Sequence, residues 1–277
     1  MRLKFLHLHL HGLIRSKNLE LGRDADTGGQ TQYVLELVKS LANTSEVDQV
    51  DLVTRLINDP KVDKEYSQKE EFVEPGVRIL RFKFGPNQYL RKELLWPYLD
   101  HFTESLISYY KKNKKPNFIH AHYADAGYVG VKLSKYLKVP LIFTGHSLGR
   151  EKKRKLIDTG LTTNQIEKLY SIRKRIEAEE KTLKSADIVV TSTNQESVIQ
   201  YSQYSSFSPH KAKVIPPGVD HNKFHHIHST SETAEIDNMM KPFLKDSTKP
   251  PLLTISRAVR RKNIPSLIEA YGRSEKL

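Results

Sequence analysis

From Phe118 onward the chain alternates short apolar runs with helical stretches, an order that few folds accept. Phe118 to Ala121 reads as a strand, a helix follows to about Leu137, and Leu141 to Thr144 reads as the next strand. A long helix is expected from Gln165 to Ser185. Strands follow at Ile188 to Thr191 and at Val214 and Ile215, the last ended by Pro216-Pro217-Gly218. Parallel neighbours need a crossover between them, and the crossovers lay helices over the sheet. The fold class is therefore α/β, a Rossmann-like parallel sheet covered by helices.

The earlier residues keep this pattern. Leu3 to Leu10 has period two, with Leu6, Leu8 and Leu10 on one face and His7, His9 and His11 on the other. Successive histidines lie about 6.6 Å apart along a strand, too far for all three to share an ion unaided. With no obvious carboxylate or thiol nearby, histidines packed under covering elements are preferred to a metal site. A helix is expected from Thr31 to Leu41, where Val34, Leu35, Val38 and Leu41 recur at helical spacing. Val50 to Leu56 and Val77 to Phe84 read as strands, separated by a polar, acidic excursion over 58–76. Leu94 to Tyr110 reads as a helix. Lys111, Lys112, Lys114 and Lys115 after it suit the negative end of its dipole.

The 277 residues exceed one ordinary domain and fall short of two full ones. Residues 1–220 are expected to form the first domain and 221–250, rich in His, Ser, Thr, Lys and Pro, a linker. Residues 251–277 would open a second domain with a strand at Leu252 to Ile255 and a helix from Ile264 to Tyr271, Pro265 in its first turn. One strand and one helix cannot make a domain, so more of it is expected beyond this sequence.

Lys and Arg number 45 against 32 Asp and Glu, a formal charge of +13, which fits anionic partners. Nucleic acid is disfavoured, because the basic runs are scattered and lack interleaved aromatics or a recognisable binding pattern. No apolar run approaches a membrane span, and charge interrupts Met1 to His7 before a signal core could form. Cysteine is absent, which removes thiol chemistry and disulfides and suits a cytoplasmic setting. There is no Walker-type loop and no Gly-x-Ser-x-Gly elbow.

In an open α/β sheet the ligand sits beyond the carboxyl ends of the strands. There the sequence places His11-Gly12, Gly28-Gly29-Gln30, His122 to Gly127, Gly145-His146-Ser147 and Thr193-Asn194-Gln195. Gly28 and Gly29 are expected to free the backbone and bring its N–H groups close to an anion at a helix start. Thr27, or Gln30 and Thr31, would cap that helix or bind a sugar hydroxyl. Cations gather at Lys92, at Arg150, Lys152, Lys153, Arg154 and Lys155, and at Arg173 and Arg175. The last two lie two apart and share no helix face, so one is expected to be functional and the other external. These residues reach a cleft for a phosphorylated, hydroxyl-rich ligand, with no reaction attached.

Several stretches carry a resemblance: His9-Leu10-His11-Gly12-Leu13-Ile14-Arg15, Leu21 to Gln30 around Asp24-Ala25-Asp26-Thr27-Gly28-Gly29, Arg91-Lys92-Glu93-Leu94-Leu95-Trp96-Pro97, and Ile119 to Gly127. Further on are Thr144-Gly145-His146-Ser147-Leu148-Gly149, Arg175-Ile176-Glu177-Ala178-Glu179-Glu180, Val214 to Asp220, and Ser256-Arg257 with Arg261-Lys262-Asn263. Together they resemble the retaining glycosyltransferases of GT-B architecture, and closely the sucrose-phosphate synthase family of cyanobacteria and plants. The resemblance covers essentially the whole chain and makes it the N-terminal half of a GT-B fold. It implies transfer of glucose from a nucleotide-glucose, UDP-glucose being expected, to fructose 6-phosphate, giving sucrose 6-phosphate with retention. Gly28, Gly29 and Gln30 would line the meeting point of donor and acceptor, with Tyr123 and Asp125 on the acceptor side. Lys92 and one of Arg173 or Arg175 would hold the sugar phosphate, and His146 would lie beside the transferred glucosyl unit. Arg257 and Lys262, with Gly29, would neutralise the donor diphosphate, so neither metal nor cofactor is expected. Ala258-Val259 stands between that pair where the family often has Pro-Asp. The family's acidic residues for the nucleotide sugar have no counterpart here, so weak acceptor binding and negligible turnover are expected of this chain alone. Two alternatives stand beside this reading: a sucrose synthase-like or other transferase with an unphosphorylated acceptor, and a non-catalytic phosphosugar-binding module.

Overall fold

Strand β1 (Leu3–Leu8) lies inside the sheet because both of its faces are covered: Leu6 and Leu8 are buried on one, His7 on the other. It pairs in parallel with β2 (Val47–Arg55) on one side and β5 (Phe118–His122) on the other. Next to β2 comes β4 (Val77–Phe82), parallel to it. Beyond β5 follow β6 (Leu141–Thr144), β7 (Ile188–Thr191) and β8 (Ala212–Val214), all parallel. Adding β3 (Glu70–Glu74), the order among the described residues is β3-β4-β2-β1-β5-β6-β7-β8. The computed structural model describes residues 2–226, 230–246, 248–256 and 262–274, with residues 230–232 in backbone only.

The chain winds outward from β1 in both directions, and right-handed crossovers then put the helices of the two directions on opposite faces. Helix α1 (Gly29–Ala42) buries Val34, Leu35 and Val38 against Val50, Leu52 and Ile79. Helices α2 (Leu99–Lys112) and α3 (Ala124–Leu137) cover the other face, where Phe102, Leu106, Val129 and Leu133 meet Leu6, Leu8, Ile119 and Phe143. The strand order reverses between β1 and β5, the place where such sheets leave a crevice.

The strands expected within residues 1–220 form with small shifts of boundary, and four segments there differ from expectation. The excursion over 58–76 contains β3, which pairs antiparallel with β4 and ends the sheet. The helix expected from Leu94 starts at Leu99, because Lys92–Leu94 and Trp96–Tyr98, the latter carrying Pro97, coil into tighter turns. Residues after Gly145 form an unforeseen helix, α4 (Gly149–Asp158). The long helix from Gln165 is two: α5 (Thr163–Tyr170), opened by a Thr162–Gln165 capping box, and α6 (Ile172–Ser185). They part at Ser171, whose φ of 46° leaves the helical region.

A second compact unit begins at Gly218. It holds helix α7 (Thr230–Met240) inside the stretch read as a linker, and α8 (Ile264–Arg273) with Pro265 at its start as expected. Leu252 to Ile255 is not a strand, and no strand among the described residues of this unit offers its backbone a partner. No helix among the described residues is long and apolar enough to cross a membrane.

Gly28 and Gly29 do not take positive φ; Gly12 does, at 78°. A Cβ on Gly12 would stand 2.5 Å from the Asp26 carbonyl oxygen, whereas one on Gly29 would meet nothing within 4 Å. Backbone freedom is therefore needed at Gly12. Gly12→Ala is expected to cost at least about 2 kcal/mol in a urea denaturation series, the left-handed penalty and the clash acting together.

Candidate functional site

The carboxyl ends of β1, β5 and β6 supply the floor of the site. Just past β1, His11 hydrogen-bonds through Nδ1 to Asp125 Oδ2 at 2.8 Å, both groups buried. Asp125 also caps locally, its Oδ1 accepting the Ala126 N–H at 2.7 Å. Between β5 and α3 stands Tyr123, with φ 81° and ψ 171°, a backbone region that is essentially glycine's. Its ring meets the edge of His11 at 4.6 Å between centroids and lies under the Arg175 guanidinium at 4.4 Å.

The glycine-rich loop reaches the same place through Asp26. That carboxylate is buried, accepts the Lys92 backbone N–H at 2.8 Å and ion-pairs with the Lys92 ammonium. Burial alone would raise the Asp26 pKa, but the Lys92 charge, His11 and the hydrogen bonds hold it below the usual carboxylate range. Thr27 does not cap α1. Its hydroxyl accepts the Leu13 N–H at 3.0 Å and donates to Asp24 at 3.1 Å, leaving Gly28 as the cap residue without a side-chain bond.

Lys92, Glu93, Trp96, Tyr123, Asp125, Lys152, Tyr170 and Arg175 line one pocket. Three cations converge there. Lys152 Nζ sits 3.8 Å from the Tyr170 ring centre and 3.9 Å from Glu93 Oε1. Burial, then the nearby Arg175 and Lys92 charges, lower the Lys152 pKa to about 8. Arg175 is buried, donates from Nε to Glu179 at 2.9 Å and from Nη2 to the Ser147 carbonyl at 2.6 Å. The chemistry of this arrangement is that of an anion cradle: point charges and a guanidinium fork, with an aromatic floor.

Of the residues picked from sequence, Lys92, Tyr123, Asp125 and Arg175 meet in this pocket. Gly28 caps α1 and Gly29 and Gln30 start it, close in sequence to Asp26, and the Gln30 side-chain amide nitrogen is buried without a hydrogen-bond partner among the described residues. Arg173 is exposed on α6, so Arg175 is the inward member of that pair. His146, at φ 55°, lies beyond β6 and bonds His122 at 3.0 Å. Lys262 is exposed in the second unit, and Arg257 lies outside the described residues. All three histidines of the N-terminal strand are buried, as expected. The ligand atoms of His7, His120 and His122 fall within 4.8 Å of one another, near enough to share an ion. Their imidazoles are already engaged, His7 with His122 at 3.0 Å and His120 with the Thr144 hydroxyl at 2.8 Å.

With this geometry in hand, comparison places the chain. A family profile described as the sucrose synthase first GT-B domain matches residues 3–228. The chain belongs to that family. Among curated relatives, it is 36% identical to a probable sucrose-phosphate synthase of Vicia faba and 35% identical to the sucrose-phosphate synthase of Spinacia oleracea. These alignments cover 98% and 96% of this chain but 32% and 31% of the relatives, so the chain spans about a third of their length. In fold it matches a solved sucrose-phosphate synthase of Thermosynechococcus elongatus with a TM-score of 0.74 at 24% identity, over 99% of this chain and 60% of that one.

Sequence reading left Lys152 within a basic run without singling it out, because α4 was not foreseen. Lys152 and Lys153 lie three and four residues after Gly149, the buried first residue of α4, and share its face; Lys152 is the one that lines the pocket. It also missed Glu179, the carboxylate beneath the whole site. Glu179 accepts from the Gly149 N–H at 2.9 Å, from Arg175, and from the Tyr204 hydroxyl. Glu179→Ala would strand the buried Arg175 charge and is expected to lower stability by about 3–5 kcal/mol in chemical denaturation. Glu179→Gln, which keeps one acceptor oxygen but not the charge, should cost less.

Proposed function

We propose that this chain is the acceptor-binding part of a retaining glucosyltransferase that moves glucose from a nucleotide-glucose, UDP-glucose foremost, to fructose 6-phosphate, forming sucrose 6-phosphate. The observation that carries the reading is the convergence of Lys92, Lys152 and Arg175 on one pocket floored by Tyr123. Burial first and then the Arg175 and Lys92 charges lower the Lys152 pKa, and a phosphate dianion would relieve the repulsion among the three. Gly28, Gly29 and Gln30 would face the junction of the two sugars, and His146 the transferred glucosyl unit. Arg257 and Lys262 would take the growing charge on the leaving diphosphate, a transition-state role that a metal fills elsewhere. In this division of labour residues 1–220 hold the acceptor and the segment from 251 contributes to the donor side.

The family profile bears the name of sucrose synthase, which favours one rival reading, an unphosphorylated acceptor. The cations separate the two. By calorimetry on this chain, Lys92→Ala and Arg175→Ala are each expected to weaken fructose 6-phosphate about tenfold to a hundredfold, the worth of a charge-assisted bond, and fructose far less. Equal losses for both sugars would support the rival. Arg173→Ala, on the exposed side of α6, should leave both affinities unchanged.

The lowered pKa of Lys152 gives a pH signature with a definite sign. Below about 8 the side chain is cationic and attracts phosphate. Above that value it must regain a proton on binding. A phosphate monoester is already a dianion there, its second pKa being about 6, so it contributes no change of its own. Fructose 6-phosphate affinity is therefore expected to fall by up to about tenfold per unit above pH 8, and Lys152→Met should flatten that slope.

A further inference from the structure

His7, His122 and His146 form a line of hydrogen-bonded imidazoles across the adjacent strands β1, β5 and β6 at the edge of the site. His7 Nδ1 lies 3.0 Å from His122 Nε2, and His122 Nδ1 lies 3.0 Å from His146 Nε2. Tyr33 of α1 meets both His122 and His146 edge-on, at 6.3 and 5.1 Å between centroids, which fixes the planes of those rings. His146 is further held by its left-handed backbone. Burial keeps every ring neutral at physiological pH: it lowers the pKa of His7 to about 3 and pushes His120, His122 and His146 well below the ordinary value.

A neutral imidazole has one N–H and one lone pair. His122 is bonded through both nitrogens, so it must donate to one neighbour and accept from the other. The line is therefore directional and has two states. In the first, each ring carries its proton on Nδ1; His7 donates to His122, His122 donates to His146, and the Nδ1–H of His146 is left over. In the second, each proton sits on Nε2, and the group left over at the far end is the Nε2–H of His7. That nitrogen is buried and has no hydrogen-bond partner among the described residues. A buried N–H without an acceptor is the rarer and costlier orphan, whereas an unused lone pair is better tolerated. The first state is favoured. It leaves the unused lone pair in the interior on His7 and brings the N–H to half-buried His146, whose Nδ1 has no hydrogen bond among the described residues.

We propose that His122 is a positioning residue that holds His146 in its Nδ1–H tautomer, so that its ring offers a hydrogen-bond donor to an oxygen of the sugar substrate. Free histidine prefers the opposite tautomer, so the choice at residue 146 is made by hydrogen bonds that begin on another strand. The substrate part of the proposal rests on the glucosyltransferase reading, which places His146 beside the transferred sugar; the tautomer does not.

Long-range nitrogen–proton correlation spectra of the chain labelled with 15N-histidine test it, with His146→Gln assigning the His146 signals. The expected spectrum at pH 7 has protonated Nδ1 and bare Nε2 in all three rings. His122→Met, which replaces the donor at His146 Nε2 by a weak acceptor, is expected to shift His146 out of its Nδ1–H form. His122→Glu, an acceptor when ionised, serves the same purpose should the Met variant fold poorly, and backbone amide spectra check the fold of each. A wild-type His146 protonated on Nε2 overturns the proposal, as does an unchanged Nδ1–H form in a folded His122 variant. No substrate enters these measurements, so the tautomer and the glucosyltransferase reading fail or stand independently.

Discussion

The site depends on one buried carboxylate. Glu179 takes a guanidinium, a helix-initiating N–H and a tyrosine hydroxyl on its two oxygens, all inside the core. Removing such an ion from water costs several kcal/mol, and only this full set of partners offsets it. In return α4 starts at a fixed point on α6: a Cβ on Gly149 would stand 2.8 Å from Glu179 Oε2, so the two helices meet at glycine distance. Lys152 and Arg175 are thereby held in one pocket, although they come from different helices and repel each other.

The sheet does the complementary task. Because the chain winds outward from β1 in both directions, the ends of β1 and β5 face an open crevice without a crossing connection. Tyr123, Asp125 and His11 fill its floor, and the loop ending at Gly28 is drawn over it by the Asp26–Lys92 pair. The carboxylates around the pocket are engaged, Asp26 by Lys92, Asp125 by His11 and Glu179 by Arg175, while Lys152 lies 3.9 Å from Glu93 and over the Tyr170 ring. What the pocket offers an anion is a set of converging charged donors.

Much of this was legible in the sequence. The alternation of strands and helices gave the parallel layers, and the polar groups after each strand gave the address of the crevice. Period two placed His7, His9 and His11 on one buried face, but the partners of His7 on β5 depend on register, which no spacing within Leu3 to Leu10 contains. Ser171 hid the break between α5 and α6, since a serine in a left-handed conformation has no local signature; the break depends on bonds such as that from the Arg173 N–H to the Glu167 carboxylate at 2.9 Å. The strand expected at Leu252 illustrates the reverse failure. Apolar β-prone residues were present, but a strand is a pairing, not a composition.

The backbone at Tyr123 has one more implication. A glycine there would relax a conformation that costs a tyrosine on the order of 1–3 kcal/mol, so any search for sturdier versions of this protein would be drawn to that exchange. The same exchange would strip the aromatic face from beneath Arg175 and the ring from beside His11. Robustness and ligand recognition thus pull in opposite directions at a single residue, and thermal endurance would be a poor guide to which variants still work.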